Sequence, residues 1–216
     1  MSLAAVLFDN DGLTLDTEPA WTRAETKLFA RHGSVFTMEH KRSLLGTAPP
    51  VAAAKLEAML GVPGDVLNAE LHELVLVEVA AGVDPMPGAV GLLGALRAAG
   101  LPVGLVSNSP RAFVERGLRS AGLEGAFAVL VTGEEVARPK PAPDAYVAAA
   151  VALGAAPSEC AVLEDSPTGL AAGRAAGALT IGVPSVPGVM LEADVVAASL
   201  EDPAVWLALG LEAAAA

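Results

Sequence analysis

The sequence predicts an α/β fold, and three observations carry that expectation. Short apolar, β-favouring runs recur along the chain, most of them are unbroken rather than alternating, and Ala-rich helical stretches lie between them. An unbroken apolar run suits a strand covered on both faces, as in a parallel sheet. Strand, helix, strand, repeated, gives a Rossmann-like doubly wound parallel sheet.

The first strand is expected at Ala4–Phe8. From Asp16 to about Asp84 the alternation stops, and only helical periodicity remains, with stops at Gly33, Gly46, Pro49-Pro50, Gly61 and Pro63-Gly64. This stretch reads as helices over Glu18–Arg31, Met38–Leu45, Val51–Leu60 and Asp65–Ala81. A helical insert directly after the first strand predicts an inserted α-helical cap domain. The expected division is a core of residues 1–15 and 84–216 and a cap of residues 16–83, with hinges near Thr14–Thr17 and Asp84–Pro87. Strands then come at Val103–Val106, Ala128–Val131, Ala161–Leu163 and Leu179–Val183. They alternate with helices at Ala89–Ala99, Arg111–Ala121, Asp144–Leu153 and Gly169–Ala176. A run at Asp194–Val196 and a helix near Ala204–Leu209 close one edge, and Ala213–Ala216 reads as a frayed end.

Composition narrows the partners. A formal charge of −12 and 4% aromatic residues argue against nucleic acid, which is held by basic patches and stacking rings. No apolar run reaches membrane-spanning length: Tyr146–Ala156 is too short, and Ala175–Leu191 is broken by Pro184 and Pro187. The N-terminus carries no basic region or cleavage site of a secretion signal. The one cysteine, Cys160, reads as a packed core thiol. A cytoplasmic protein, monomeric or homodimeric, with no nucleic acid or membrane as partner, is the expectation.

Ligands of an open parallel sheet bind beyond the carboxyl ends of the strands. There the sequence places Asp9, Asn10, Asp11 and Gly12 after the first strand, and Ser107, Asn108 and Ser109 after the second. Lys140 sits in the loop after the third, and Glu164, Asp165 and Ser166 come after the fourth. Ser109-Pro110 and Ser166-Pro167 read as helix starts, with Ser as N-cap. Asp9, Asp11, Glu164 and Asp165 give an oxygen-only site that suits Mg²⁺. Zinc finds too few donors, because the histidines (His32, His40 and His72) all fall in the cap. A carboxylate facing Mg²⁺ and an ammonium stays ionised and can attack phosphorus. A second carboxylate two residues on can protonate the leaving oxygen, while Lys140, Ser107 and backbone N–H groups stabilise the phosphoryl oxygens.

The groups Asp9-Asn10-Asp11-Gly12, Ser107-Asn108, Arg138-Pro139-Lys140-Pro141 and Leu163-Glu164-Asp165-Ser166-Pro167-Thr168-Gly169, with Leu15-Asp16-Thr17-Glu18, resemble the motifs of the haloacid dehalogenase superfamily. They are similar to its β-phosphoglucomutase-like branch with a helical cap. The resemblance implies Asp9 as nucleophile, Asp11 as general acid/base and Lys140 as the stabilising cation. It implies Ser107 and Asn108, with Gly12, as phosphoryl-binding. For Mg²⁺ it implies the Asp9 carboxylate, the Asp11 carbonyl and Asp165, with Glu164 binding directly or through water.

Within the superfamily, Asp11 argues against dehalogenase and phosphonatase chemistry, which do without a second Asp in the first motif. Phosphomutase is the nearer rival. Its branch places a histidine where this chain has Trp21, an arginine where it reads Gly46-Thr47-Ala48-Pro49, and a lysine near Val75. Trp21 either packs the cap with Ala24, Leu28 and Phe29 or narrows the substrate site. A non-catalytic phosphate-binding domain would be expected to lose Asp9, Asp11 or Lys140, and all three are present. The sequence thus predicts a Mg²⁺-dependent phosphatase acting on a small phosphorylated metabolite through an aspartyl-phosphate.

Overall fold

The computed structural model describes residues 3–44, 49–186 and 188–212. The expected helix end at Leu45, the stop at Gly46, the stretch Gly46–Ala48 and the tail Ala213–Ala216 lie outside these residues. The chain divides into two units, one of Met1–Asp16 with Asp84–Ala216 and one of Thr17–Val83.

The strands are β1 (Ala5–Phe8), β2 (Leu15–Asp16), β3 (Asp84–Pro85), β4 (Val103–Ser107), β5 (Val129–Thr132), β6 (Cys160–Glu164), β7 (Leu179–Gly182) and β8 (Val195–Val196). Helices α1 (Glu18–Arg31), α2 (Met38–Leu44), α3 (Pro49–Leu60) and α4 (Gly64–Ala81) form the smaller unit. Helices α5 (Ala89–Ala98), α6 (Arg111–Ser120), α7 (Asp144–Ala152), α8 (Pro167–Ala176) and α9 (Pro203–Ala208) belong to the larger one.

Six strands pair in the order β5-β4-β1-β6-β7-β8, and every neighbouring pair is parallel. Val6 of β1 stands opposite Val103 on one side and Ala161 on the other, so β1 is central. All four residues of β1 and all five of β6 are buried, which is why both read as unbroken apolar runs. After β1 the chain builds β4 and β5 on one side and then crosses to build β6, β7 and β8 on the other. The order reverses at β1, and the crevice beyond its carboxyl end is the place where such sheets bind ligands.

The two-residue strands β2 and β3 were expected only as hinge segments. They pair antiparallel, Leu15 with Pro85 and Asp16 with Asp84. Two residues are too few to show any periodicity, so this ribbon has no sequence signal. It also explains why the division falls after Asp16 and not before it.

In the helical unit, α1 buries Ala20, Ala24, Leu28 and Phe29, a single stripe at helical spacing. Helix α4 buries Leu67, Leu71, Leu74, Val75 and Val79. Charged side chains staple the two helices: Glu78 accepts from Arg23 Nε at 2.8 Å and from Lys27. Glu70 accepts from Arg31 at 2.9 Å, with His32 Nε2 also 2.9 Å away. Lys41 of α2 pairs with Glu18 and with the buried Glu25 on α1. No described helix is long and apolar enough to cross a membrane.

Candidate active site

The loop after β1 is folded tightly on itself. The Asn10 carbonyl accepts from the N–H groups of Thr14 (3.0 Å) and Leu15 (2.9 Å). The Thr14 hydroxyl donates to the Asp9 carbonyl at 2.5 Å. This holds the side chains of Asp9 and Asp11 at the carboxyl edge of the sheet. Gly12 has a φ of 79° and donates its N–H to Leu15. A Cβ at Gly12 would stand 2.4 Å from Asp165 Oδ2 and 2.8 Å from the Ser185 hydroxyl. Only glycine fits, both for its dihedral and for the close approach of Asp165.

Lys140 is the hub. Its buried ammonium donates to Asp9 Oδ1 at 2.6 Å, to Glu164 Oε1 at 2.6 Å and to the Val106 carbonyl at 2.8 Å. All three protons are therefore placed. The backbone of Lys140 is fixed as well: Asn108 Oδ1 accepts its N–H at 3.0 Å and Asn108 Nδ2 donates to its carbonyl at 3.1 Å. The amide of Asn108 thus clamps the loop that carries the lysine.

Asp11 Oδ2 accepts from two hydroxyls, Ser107 at 3.2 Å and Ser109 at 2.8 Å. Ser107 in turn accepts the N–H of Ser109 at 2.9 Å. The expectation that Ser109 caps the following helix is corrected here. Helix α6 begins at Arg111 with Pro110 at the N-cap and no side-chain cap, which leaves the Ser109 hydroxyl for Asp11. Ser166 does cap α8, accepting from Gly169 N–H, and its hydroxyl also lies 2.9 Å from Glu164 Oε2.

Glu164 is fully buried, and its Oε1 accepts from both Lys140 and the Tyr146 hydroxyl, the latter at 2.6 Å. A Cβ at Gly169 would stand 1.7 Å from Glu164 Oε1, so the first turn of α8 must leave room for this carboxylate. Asp165 Oδ2 accepts from the Ser185 hydroxyl at 2.5 Å.

One oxygen from each of Asp9, Glu164 and Asp165 can be chosen so that all lie within 4.8 Å of one another. With Asp11, four carboxylates gather around a single ammonium. Burial pushes the Asp9 carboxyl well up, Glu164 adds to this, and Lys140 opposes it. Burial likewise raises Asp165 to about 6, against the hydrogen bond from Ser185. Burial works to lower Lys140, but the charges of Asp9 and Glu164 outweigh it and hold the ammonium charged. Crowded, oxygen-only and short of positive charge, the donor set fits a hard divalent cation.

Asp9, Asp11, Gly12, Ser107, Asn108, Lys140, Glu164 and Asp165 all lie in the larger unit. Trp21, half-buried, stands on the first turns of α1 in the helical unit. Sequence reasoning did not single out Tyr146 or Ser185. Tyr146 did leave a signal: it is the one tyrosine of the chain, on an otherwise apolar helix, and a buried phenol needs a partner.

The chain belongs to the haloacid dehalogenase-like hydrolases: the model of that family matches residues 3–177. Hexitol phosphatase A of Escherichia coli strain K12 is 36% identical over 209 residues, 93% of this chain and 93% of that protein. Validoxylamine A 7'-phosphate phosphatase of Streptomyces hygroscopicus subsp. limoneus is 33% identical over 178 residues, 82% of this chain and 84% of that protein. Among solved structures, CbbY from Rhodobacter sphaeroides in complex with phosphate superposes with a TM-score of 0.78 at 27% identity, covering 92% of this chain and 95% of that one.

Proposed function

We propose that this protein is a Mg²⁺-dependent phosphatase that hydrolyses a phosphate monoester of a sugar, polyol or similar small metabolite through an aspartyl-phosphate on Asp9. The observation that carries this reading is the buried contact of Lys140 Nζ with Asp9 Oδ1 at 2.6 Å, beside Asp11 and Asp165 at the switch point of the sheet.

Asp9 attacks phosphorus with the carboxylate oxygen that Lys140 orients. Asp11, two residues on, gives a proton to the departing alkoxide and later takes one from the water that cleaves the acyl phosphate. The hydroxyls of Ser107 and Ser109 hold the Asp11 carboxylate in one orientation between these tasks. Lys140 neutralises charge on the transferring phosphoryl group, and Asn108 keeps it in place through its backbone. The Asp9 and Asp165 carboxylates and the Asp11 carbonyl would hold Mg²⁺. Glu164, whose two oxygens already serve Lys140, Tyr146 and Ser166, would act on it only through water. The ion supplies the positive charge that lets an anionic phosphate approach an anionic nucleophile.

The helical unit then serves as the cap that sets substrate choice. The name of one phosphatase relative, hexitol phosphatase A, supports a hexitol-like leaving group. The test is release of inorganic phosphate from hexitol phosphates, sugar phosphates and β-glucose 1-phosphate, the last with and without a bisphosphate primer. Turnover of one or a few esters, abolished by EDTA and restored by Mg²⁺, is expected. Primer-dependent isomerisation without net phosphate release would overturn the phosphatase reading in favour of a mutase.

A further inference from the structure

Against the Lys140–Glu164 pair, the structure holds a buried titratable group that the proposed mechanism does not use. Tyr146 is 1% exposed and sits in the first turn of α7, the helix that follows the Lys140 loop. Its hydroxyl donates to Glu164 Oε1 at 2.6 Å, the same oxygen that accepts from Lys140. The Lys140 ammonium also lies 4.9 Å from the centre of the Tyr146 ring. One side chain therefore touches both members of the Lys140–Glu164 pair, the acid through its hydroxyl and the cation through its ring face.

The rest of the surroundings leave the pair no other freedom. Glu164 Oε2 is held by Ser166, and the absent side chain of Gly169 makes the space that the carboxylate fills. Lys140 gives its remaining protons to Asp9 and the Val106 carbonyl. A phenol in this position stays protonated, because burial and the nearby carboxylate both push it well above its ordinary range.

We propose that Tyr146 is a positioning residue: it pins Glu164 with its hydroxyl and Lys140 with its ring, and so fixes the ammonium against Asp9. Its effect on turnover rests on the phosphatase reading, whereas its effect on Lys140 does not. Tyr146→Phe removes the hydroxyl and keeps the ring; Tyr146→Leu removes both.

The first readout is the Lys140 ammonium itself, followed by proton–nitrogen NMR in metal-free protein and assigned by its loss in Lys140→Met. Buried and with every proton bonded, it is expected to exchange slowly in the wild type. Exchange should quicken about tenfold in Tyr146→Phe and further in Tyr146→Leu. The second readout is turnover with Mg²⁺. Tyr146→Phe is expected to lower kcat about tenfold with KM nearly unchanged, and Tyr146→Leu to lower it about a hundredfold. A Tyr146→Phe protein with wild-type lysine exchange overturns the proposal, whether or not any substrate is turned over. Quickened exchange with wild-type kcat overturns its catalytic part. Quickened exchange in a protein whose wild type releases no phosphate supports the positioning and counts against the phosphatase reading alone.

Discussion

Two of the cation–carboxylate clusters among the described residues, one from each unit, look alike by distance. In the core, Lys140 meets Asp9 and Glu164, each at 2.6 Å. In the helical unit, Glu78 meets Arg23 at 2.8 Å and Lys27. The difference is in the cations and in the direction of titration. The Lys140 side chain is 4% exposed, whereas those of Arg23 and Lys27 are 45% and 55% exposed. Asp9 is pushed well up by burial, while Glu78 is pulled down by hydrogen bonds from Lys27 and Arg23. A contact distance therefore says little about what an ion pair does. A dry pair at the end of a strand stores electrostatic tension that bound ligands can relieve. A pair between two helices whose cations reach solvent, though its carboxylate is buried, is a weak staple.

The widest gap between the clusters should appear in turnover. Asp9→Asn is nearly isosteric and keeps an oxygen for Lys140, so folding should survive while kcat falls by at least about a thousandfold. Phosphate release near the wild-type rate in a folded Asp9→Asn protein would remove Asp9 from the role of nucleophile. The next effect concerns stability. Lys140→Met strands Asp9 and Glu164 as adjacent buried acids, which should cost about 3 kcal/mol at neutral pH as well as about a hundredfold or more in kcat. Denaturant unfolding measures it. A cost below about 1 kcal/mol would show that the Lys140 cluster is no more coupled than the Glu78 one.

Much of this cluster was legible in the sequence, because strand ends in a parallel sheet are ordered by topology and the candidate reacting groups sit on them. Asp9, Asp11, Ser107, Lys140, Glu164 and Asp165 could all be placed from their positions just beyond the apolar runs or in the loops after them. The support behind them escaped. Tyr146 comes from a helix flank and Ser185 from the loop after β7, and only the folded chain brings them to Glu164 and Asp165. Ser109 was hidden by its proline neighbour, since Ser-Pro before a helix is a cap signal in its own right. Here the helix starts a residue later than that signal implies. Asn108 advertised an amide but not its partner, the backbone of a residue 32 positions on. The helical unit shows the reverse: its periodicity gave the four helices, while the charges that staple them left no local mark.

The smallest expected effect tests the Glu78 side of the comparison. Glu78→Gln keeps the shape and the hydrogen-bond reach of the side chain and removes its charge. Because Arg23 and Lys27 are half-exposed and screened, the loss should be only about 0.5–1 kcal/mol, with kcat unchanged. Its dependence on pH fixes the cause. A carboxylate whose folded pKa lies below its unfolded one contributes stability above the ordinary glutamate range, and loses it as pH falls through the folded value. The wild type should therefore exceed Glu78→Gln at pH 7, and the two should converge as pH falls below the ordinary glutamate range. Added salt should narrow the same gap at neutral pH. Urea midpoints for both proteins across this range decide it. A difference that stays constant through the acid limb would mean that Glu78 works by packing rather than by charge.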